Sequence, residues 1–124
     1  MKKFFVILLV VVGFGFVSNA QNNVWNYAGS VDGVKVYWRY VQELKDQFRC
    51  ELKFENTNNY KVDISFKSRF FCQDGTEKVE SAQLKTLKAG ETVGGQWQGC
   101  YYYPCKGEYP RSGGVTDMRV KKID

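Results

Sequence analysis

The chain has 124 residues, of which 44% are hydrophobic, with four cysteines, no histidine and a formal net charge of +5. That length holds one ordinary domain and leaves little room for two independent cores. The missing histidine removes the commonest general base, the commonest metal ligand and every histidine-dependent triad.

Residues 1–20 carry the pattern of a secretory signal peptide. Lys2 and Lys3 form a basic start, residues 4–17 are an unbroken apolar and glycine run, and Ser18 and Ala20 are small residues at the expected cleavage positions. The apolar run is too short for a helix crossing a hydrocarbon core of about 30 Å. It is followed by Gln21, Asn22 and Asn23 rather than by a basic cluster. No cysteine follows the small residues, which argues against a lipoprotein anchor. A mature chain of residues 21–124 is therefore expected, secreted to the extracellular, periplasmic or cell-surface side. Loss of Lys2 and Lys3 leaves 16 basic against 13 acidic residues, a net charge of +3. The remaining basic residues alternate with apolar ones instead of clustering, so no nucleic-acid partner is expected.

In chain order, residues 24–31, with Trp25 and Tyr27, read as an opening strand ended by Asp32-Gly33. Val34, Val36, Trp38 and Tyr40 form one apolar face with period two, and Trp38 is expected in the core. Phe48, Cys50, Leu52 and Phe54 repeat the pattern, with Arg49, Glu51, Lys53 and Glu55 on the opposite face. After the turn residues Asn56-Thr57-Asn58-Asn59 comes a third run: Val62, Ile64, Phe66, Ser68, Phe70 and Cys72. Gln73-Asp74-Gly75-Thr76 predicts the next turn, and a weaker strand spans residues 78–87 with Ala82 and Leu84 inward. Lys88-Ala89-Gly90-Glu91 turns into a strand over residues 92–99, and a last strand near residues 115–123 carries Met118 and Val120 inward. No segment has a helical apolar stripe long enough to form a stable helix; residues 41–48 hint at one. Six or seven short strands with turns every eight to twelve residues indicate a single all-β antiparallel sandwich or small barrel.

The run from Leu52 to Val62, with its Asn56-Thr57 turn, and the later Leu87-Lys88-Ala89-Gly90-Glu91 resemble turns of bacterial immunoglobulin-like and fibronectin type III-like domains. The resemblance covers about residues 34–124 and implies an immunoglobulin-like β-sandwich used as a binding or spacer module. It carries no catalytic residues into this chain. The cysteine-bearing segment of residues 94–114 departs from the short connection usual in those families.

Four cysteines in a secreted chain favour two disulfides, and their spacing suits neither a Cys-x-x-Cys redox pair nor a zinc site. A Cys50–Cys72 bridge is disfavoured by their unequal distances from the Asn56–Tyr60 turn. The resemblance to an inter-sheet immunoglobulin bridge implies Cys50–Cys100, with Cys72–Cys105 tying the loop. Cys72–Cys100 with Cys50–Cys105 is the rival.

Residues 99–111 hold Tyr101, Tyr102, Tyr103 and Tyr109 beside two prolines and two cysteines. Three adjacent tyrosines in an extended segment cannot all face one core. With Trp97 they form a candidate binding surface, since tyrosine offers contact area and a hydrogen-bonding tip with little torsional freedom to lose. The competing reading is that Trp97 and one or two of these rings cap the end of the sandwich. Asp32, Asp74, Glu91, Glu108 and Asp117 read as turn residues, and no hydrolase, phosphate-loop or calcium-loop motif is complete. The expectation is a non-enzymatic, monomeric binding or adhesion module with no cofactor or metal and no stable membrane insertion after signal cleavage. Its partner would be an extracellular protein or glycan. The alternatives are a carbohydrate-binding module and an inhibitor of an extracellular hydrolase.

Overall fold

A computed structural model describes residues 22–123, so the expected signal peptide lies outside the described residues. Asn26–Val31 (β1) and Val34–Leu44 (β2) form a hairpin closed by Asp32-Gly33. Both turn residues have positive φ (45° and 84°), the conformation that a tight two-residue hairpin needs and that Asp-Gly supplies. A second hairpin joins β2 to Gln47–Asn56 (β3) around Lys45-Asp46, so the hint of a helix at residues 41–48 resolves as strand and turn.

The chain then crosses to a second sheet. Asn56 directs the crossing and is fully buried. Its Nδ2 donates to the carbonyls of Tyr60 and Lys88, each at 2.9 Å, while its Oδ1 accepts from the Asn58 amide at 3.1 Å. One side chain thereby satisfies backbone groups of two separate connections, as a buried amide must. Val62–Cys72 (β4) is the spine of the second sheet. It pairs with Pro110–Lys122 (β9) on one side and with the short Glu77–Val79 (β5) and Gln83–Leu87 (β6) on the other.

From β6 the chain returns to the first sheet through the Lys88–Glu91 turn. There Thr92–Gly94 (β7) and Tyr101–Tyr102 (β8) both pair with β3. The result is all-β: two antiparallel sheets, β1-β2-β3-β7/β8 facing β5/β6-β4-β9. The described residues contain nine strands, more than the six or seven expected, because the strand expected over residues 78–87 is split into β5 and β6 and Tyr101–Tyr102 adds a short strand beyond the one expected over residues 92–99. No helix among the described residues is long and apolar enough to cross a membrane.

The alternating residues of β2, β3 and β4 meet between the sheets as expected. Phe54 and Phe66 lie 4.5 Å apart by ring centroid, and Phe70 and Tyr102 5.8 Å. Gly113 lets the layers close up, since a Cβ there would stand 2.4 Å from the Phe70 ring and 3.2 Å from Trp38. A bulge at Asp117 (φ 52°) shifts the phase of β9, so that Val115 and Met118 both face inward. Leu84 and Ala82 do not face the core. Leu84 is 78% exposed, because the strand alternation that turns Leu87 inward turns Leu84 outward.

The cysteines correct half of the expected pairing. Cys72 and Cys105 form a disulfide (Cα–Cα 5.5 Å) that ties the β8–β9 connection to the end of β4. Cys50 and Cys100 are free, buried thiols. They do not face each other across the sandwich but lie on neighbouring strands of one sheet. Cys50 pairs with Tyr102, while the Leu52 amide donates to the Cys100 carbonyl at 3.1 Å. Such diagonal neighbours are about 7 to 8 Å apart, beyond the reach of a disulfide.

Candidate functional site

The strand expected over residues 92–99 stops at Gly94. Gly95 (φ 79°) and Gly99 (φ 74°) turn the chain out of the sheet and back, around a 3-10 turn at Gln96–Gln98. The neck is closed by the Cys100 amide donating to the Gly95 carbonyl at 3.0 Å, and Gly95 is itself held to the Leu52 carbonyl at 3.0 Å. Further bonds fix the loop. The Gly94 amide donates to Gln98 Oε1 at 2.6 Å, Gln83 Nε2 donates to the Gly99 carbonyl at 3.3 Å, and Lys85 Nζ donates to the Gln98 carbonyl. At its tip stands Trp97, 93% exposed. The indole does not complete the core, as the capping reading required; it is the most exposed large hydrophobic side chain among the described residues.

Beside this loop lies the outer face of the first sheet, where Arg39 on β2 sits opposite Glu51 on β3. Glu51 points away from the core yet is only 1% exposed. Arg39 Nε donates to its Oε1 and Arg49 Nε to its Oε2, each at 2.7 Å. Arg39 also reaches Asn23 Oδ1 at 2.7 Å, and Arg49 pairs with Glu43, which accepts a hydrogen bond from the Tyr103 hydroxyl at 2.9 Å. Burial works against the charge on Arg49, but hydrogen bonds from its guanidinium to Glu51 and Glu43 raise its pKa. Burial, and then the Glu43 hydrogen bond, raise that of Tyr103.

Trp25 closes the other side. The Arg39 guanidinium lies 4.3 Å and the Lys53 ammonium 4.6 Å from its ring centroid, and Lys53 is also 4.7 Å from the centroid of Tyr37. Burial, followed by repulsion from Arg39, lowers the Lys53 pKa. Together these groups enclose a cleft of about 290 Å³ between Trp25 and Trp97, with Arg39, Arg49, Glu51 and Lys53 along it. Gly94 and Gly95 also line it, where the backbone packs closely on β3 and Glu51. A Cβ on Gly94 would come within 2.6 Å of the Leu52 carbonyl oxygen, and one on Gly95 would stand 3.5 Å from Glu51 Oε1.

The expected binding residues divide. Tyr101 and Tyr103 emerge on the outer face beside Glu51 and Arg49, with their rings edge to face at 6.2 Å, while Trp97 lines the cleft. Tyr102 turns inward, 8% exposed, packs on Phe70 and gives its hydroxyl to Gln83; it belongs to the core rather than to the surface. Tyr109 stacks on Tyr40 at 5.2 Å and meets Phe48 edge-on, so it covers the end of the core, away from Trp97. Strand alternation explains the split among the three adjacent rings. Trp25, Arg39, Arg49, Glu51 and Lys53 were not singled out from the sequence. Their only signal is an ordinary run of outward charges, and no local motif shows that one of these charges is sealed. Among the described residues no group of histidine, cysteine or carboxylate side chains could hold a metal.

No protein-family model matches the chain, and no curated protein matches it. Its structure is similar to the crystal structure of a DUF1425 family member from Shewanella sp. pv-4, at 7% sequence identity and a TM-score of 0.44. The similarity covers 85% of this chain and 93% of that one.

Proposed function

We propose that this is a secreted, non-catalytic binding module whose ligand surface is the outer face of the first sheet, from Trp25 across Arg39, Glu51 and Arg49 to Trp97, Tyr101 and Tyr103. The observation that carries this reading is Trp97: an indole 93% exposed at the tip of a loop whose backbone is held at the neck and on both flanks. A large aromatic ring left in water on a fixed support gives up burial that the core would reward, and such rings act as anchors when a partner covers them. Glu51, with both oxygens engaged by arginines, is spoken for as a structural group and leaves the cleft without a free acid–base pair.

The Cys72–Cys105 disulfide supports an oxidising destination, in keeping with export of residues 21–124. The sandwich is read as a variant of the immunoglobulin-like architecture in which the first three strands run as one continuous meander. The concave cleft favours a ligand that enters it over a wedge that plugs a hydrolase, and two tryptophans at its rim favour a glycan over a flat protein surface. The test is affinity capture and glycan-array binding with wild type and Trp97→Ala. Retained melting temperature with lost binding supports the reading; binding unchanged in Trp97→Ala overturns it.

A further inference from the structure

We infer that the cleft takes an acidic saccharide: a carboxylate-bearing sugar unit whose ring face lies on Trp97 and whose carboxylate meets Lys53 and Arg39. This rests on the outer face being the binding surface and names what that surface selects.

Charge comes first. Arg39, Arg49 and Lys53 line the cleft against a single carboxylate, Glu51, whose two oxygens are already held by Arg39 and Arg49. Lys53 has no ion pair among the described residues and rests on the faces of Trp25 and Tyr37. Burial and then Arg39 oppose its charge, and Glu55, which favours that charge, does not line the cleft, so within the cleft Lys53 faces no carboxylate of its own. An anionic ligand relieves that repulsion, whereas a neutral one leaves it in place.

Shape and surface chemistry then choose among anions. A bare phosphate or carboxylate makes no use of an exposed indole, but a sugar presents a flat C–H face that stacks on one while its hydroxyls meet polar groups. Gln98 lines the cleft and supplies such a polar group: its Oε1 accepts from the Gly94 amide, and its side-chain NH2 is left for a hydroxyl. The volume, about 290 Å³, is at the small end for ligand sites and suits one ring unit at a time rather than a base, ribose and phosphate together. Because the cleft is open at the surface, the unit can belong to a longer chain.

The test uses the purified protein with tetragalacturonate, its methyl ester, a neutral galactose tetramer, a nucleoside monophosphate and a tetraglutamate peptide, read by calorimetry and tryptophan fluorescence. Tetragalacturonate is expected to bind best, and more weakly as salt is raised. Its affinity should fall about tenfold in Lys53→Gln, which removes one charged contact, and about thirtyfold in Trp97→Ala, which removes the anchor ring. Equal binding of the acid and neutral tetramers, still lost in Trp97→Ala, overturns acid selectivity and keeps the binding face. Preference for the peptide or the nucleotide overturns the saccharide. Absence of any Trp97-dependent binding in this panel overturns the inference, and the wider capture experiment above then decides the binding face separately.

Discussion

Cys50 and Cys100 lie on adjacent strands of one sheet, two residues out of register, buried and unbridged. Of the four cysteines only Cys72 and Cys105 are covalently joined, and their bond closes a 33-residue separation.

A thiol titration should therefore find no reactive cysteine in the native protein, two after unfolding in denaturant and four after reduction. Removing the bridge by Cys72→Ala with Cys105→Ala should cost about 3 to 4 kcal/mol by the loop-closure argument, measured by urea unfolding. Finding no free thiol in the unreduced, unfolded protein would instead mean that Cys50 and Cys100 are also joined.

Alkali should destabilise the protein through buried acids that resist ionisation. Burial, reinforced by the nearby Glu51, pushes the Cys50 thiol far above its ordinary range. Burial, reinforced by Cys100 and Glu80, does the same to the Tyr102 phenol. In the unfolded chain the thiol ionises near pH 8.5 and the phenol near pH 10. Above those values the unfolded state binds fewer protons than the folded one, so stability falls as pH rises. It is fully present below about pH 8.5, and the thiol contributes a loss of at most about 1.4 kcal/mol per pH unit above it. Melting temperatures from pH 7 to 11 should show the decline, and Cys50→Ala should make it shallower without moving its onset, because burial also raises the Cys100 thiol.

Glu51→Gln should destabilise by about 2 to 3 kcal/mol in urea unfolding. That is less than the cost of breaking a fully buried pair, because Arg39 and Arg49 keep some contact with solvent. An amide can accept from one arginine but turns its own N–H groups towards the other. A change near zero would mean that the two guanidinium groups do not depend on the carboxylate.

Asn56→Ala and Ser68→Ala form a contrasting pair, both fully buried. Asn56→Ala strips partners from the Tyr60 and Lys88 carbonyls and the Asn58 amide, and should cost about 2 to 3 kcal/mol. The Ser68 hydroxyl has no hydrogen-bond partner among the described residues, so Ser68→Ala should be neutral or stabilise by up to about 1 kcal/mol. Equilibrium denaturation of the two variants separates the cases.

The long central strands were legible because each buries one face, and a period-two pattern over ten residues has few other meanings; β2, β3 and β4 follow it nearly residue by residue. The stretch from Glu77 to Tyr103 was legible only in its turns. Its strands are two to five residues long, too short to alternate convincingly, and positive-φ glycines break the last of them. The start of β9 was hidden because Pro110 and two glycines precede its apolar residues, and the Asp117 bulge breaks its alternation. For the site, the sequence showed that at least one of three adjacent tyrosines must be outside, but not that Glu51 would be sealed. That outcome depends on the partner across from it, Arg39, and on a loop more than forty residues further along the chain.

The Gly95–Cys100 neck has a consequence for how these molecules meet one another. It lies in the outermost strand of its sheet, where an uninterrupted ribbon would offer a row of unpaired amides and carbonyls to any extended chain. The excursion reduces that ribbon to three residues in β7 and two in β8, with a protruding indole between them. A foreign strand cannot lie flat along such an interrupted border, so the loop that displays Trp97 also guards this side of the sandwich against edge-to-edge aggregation.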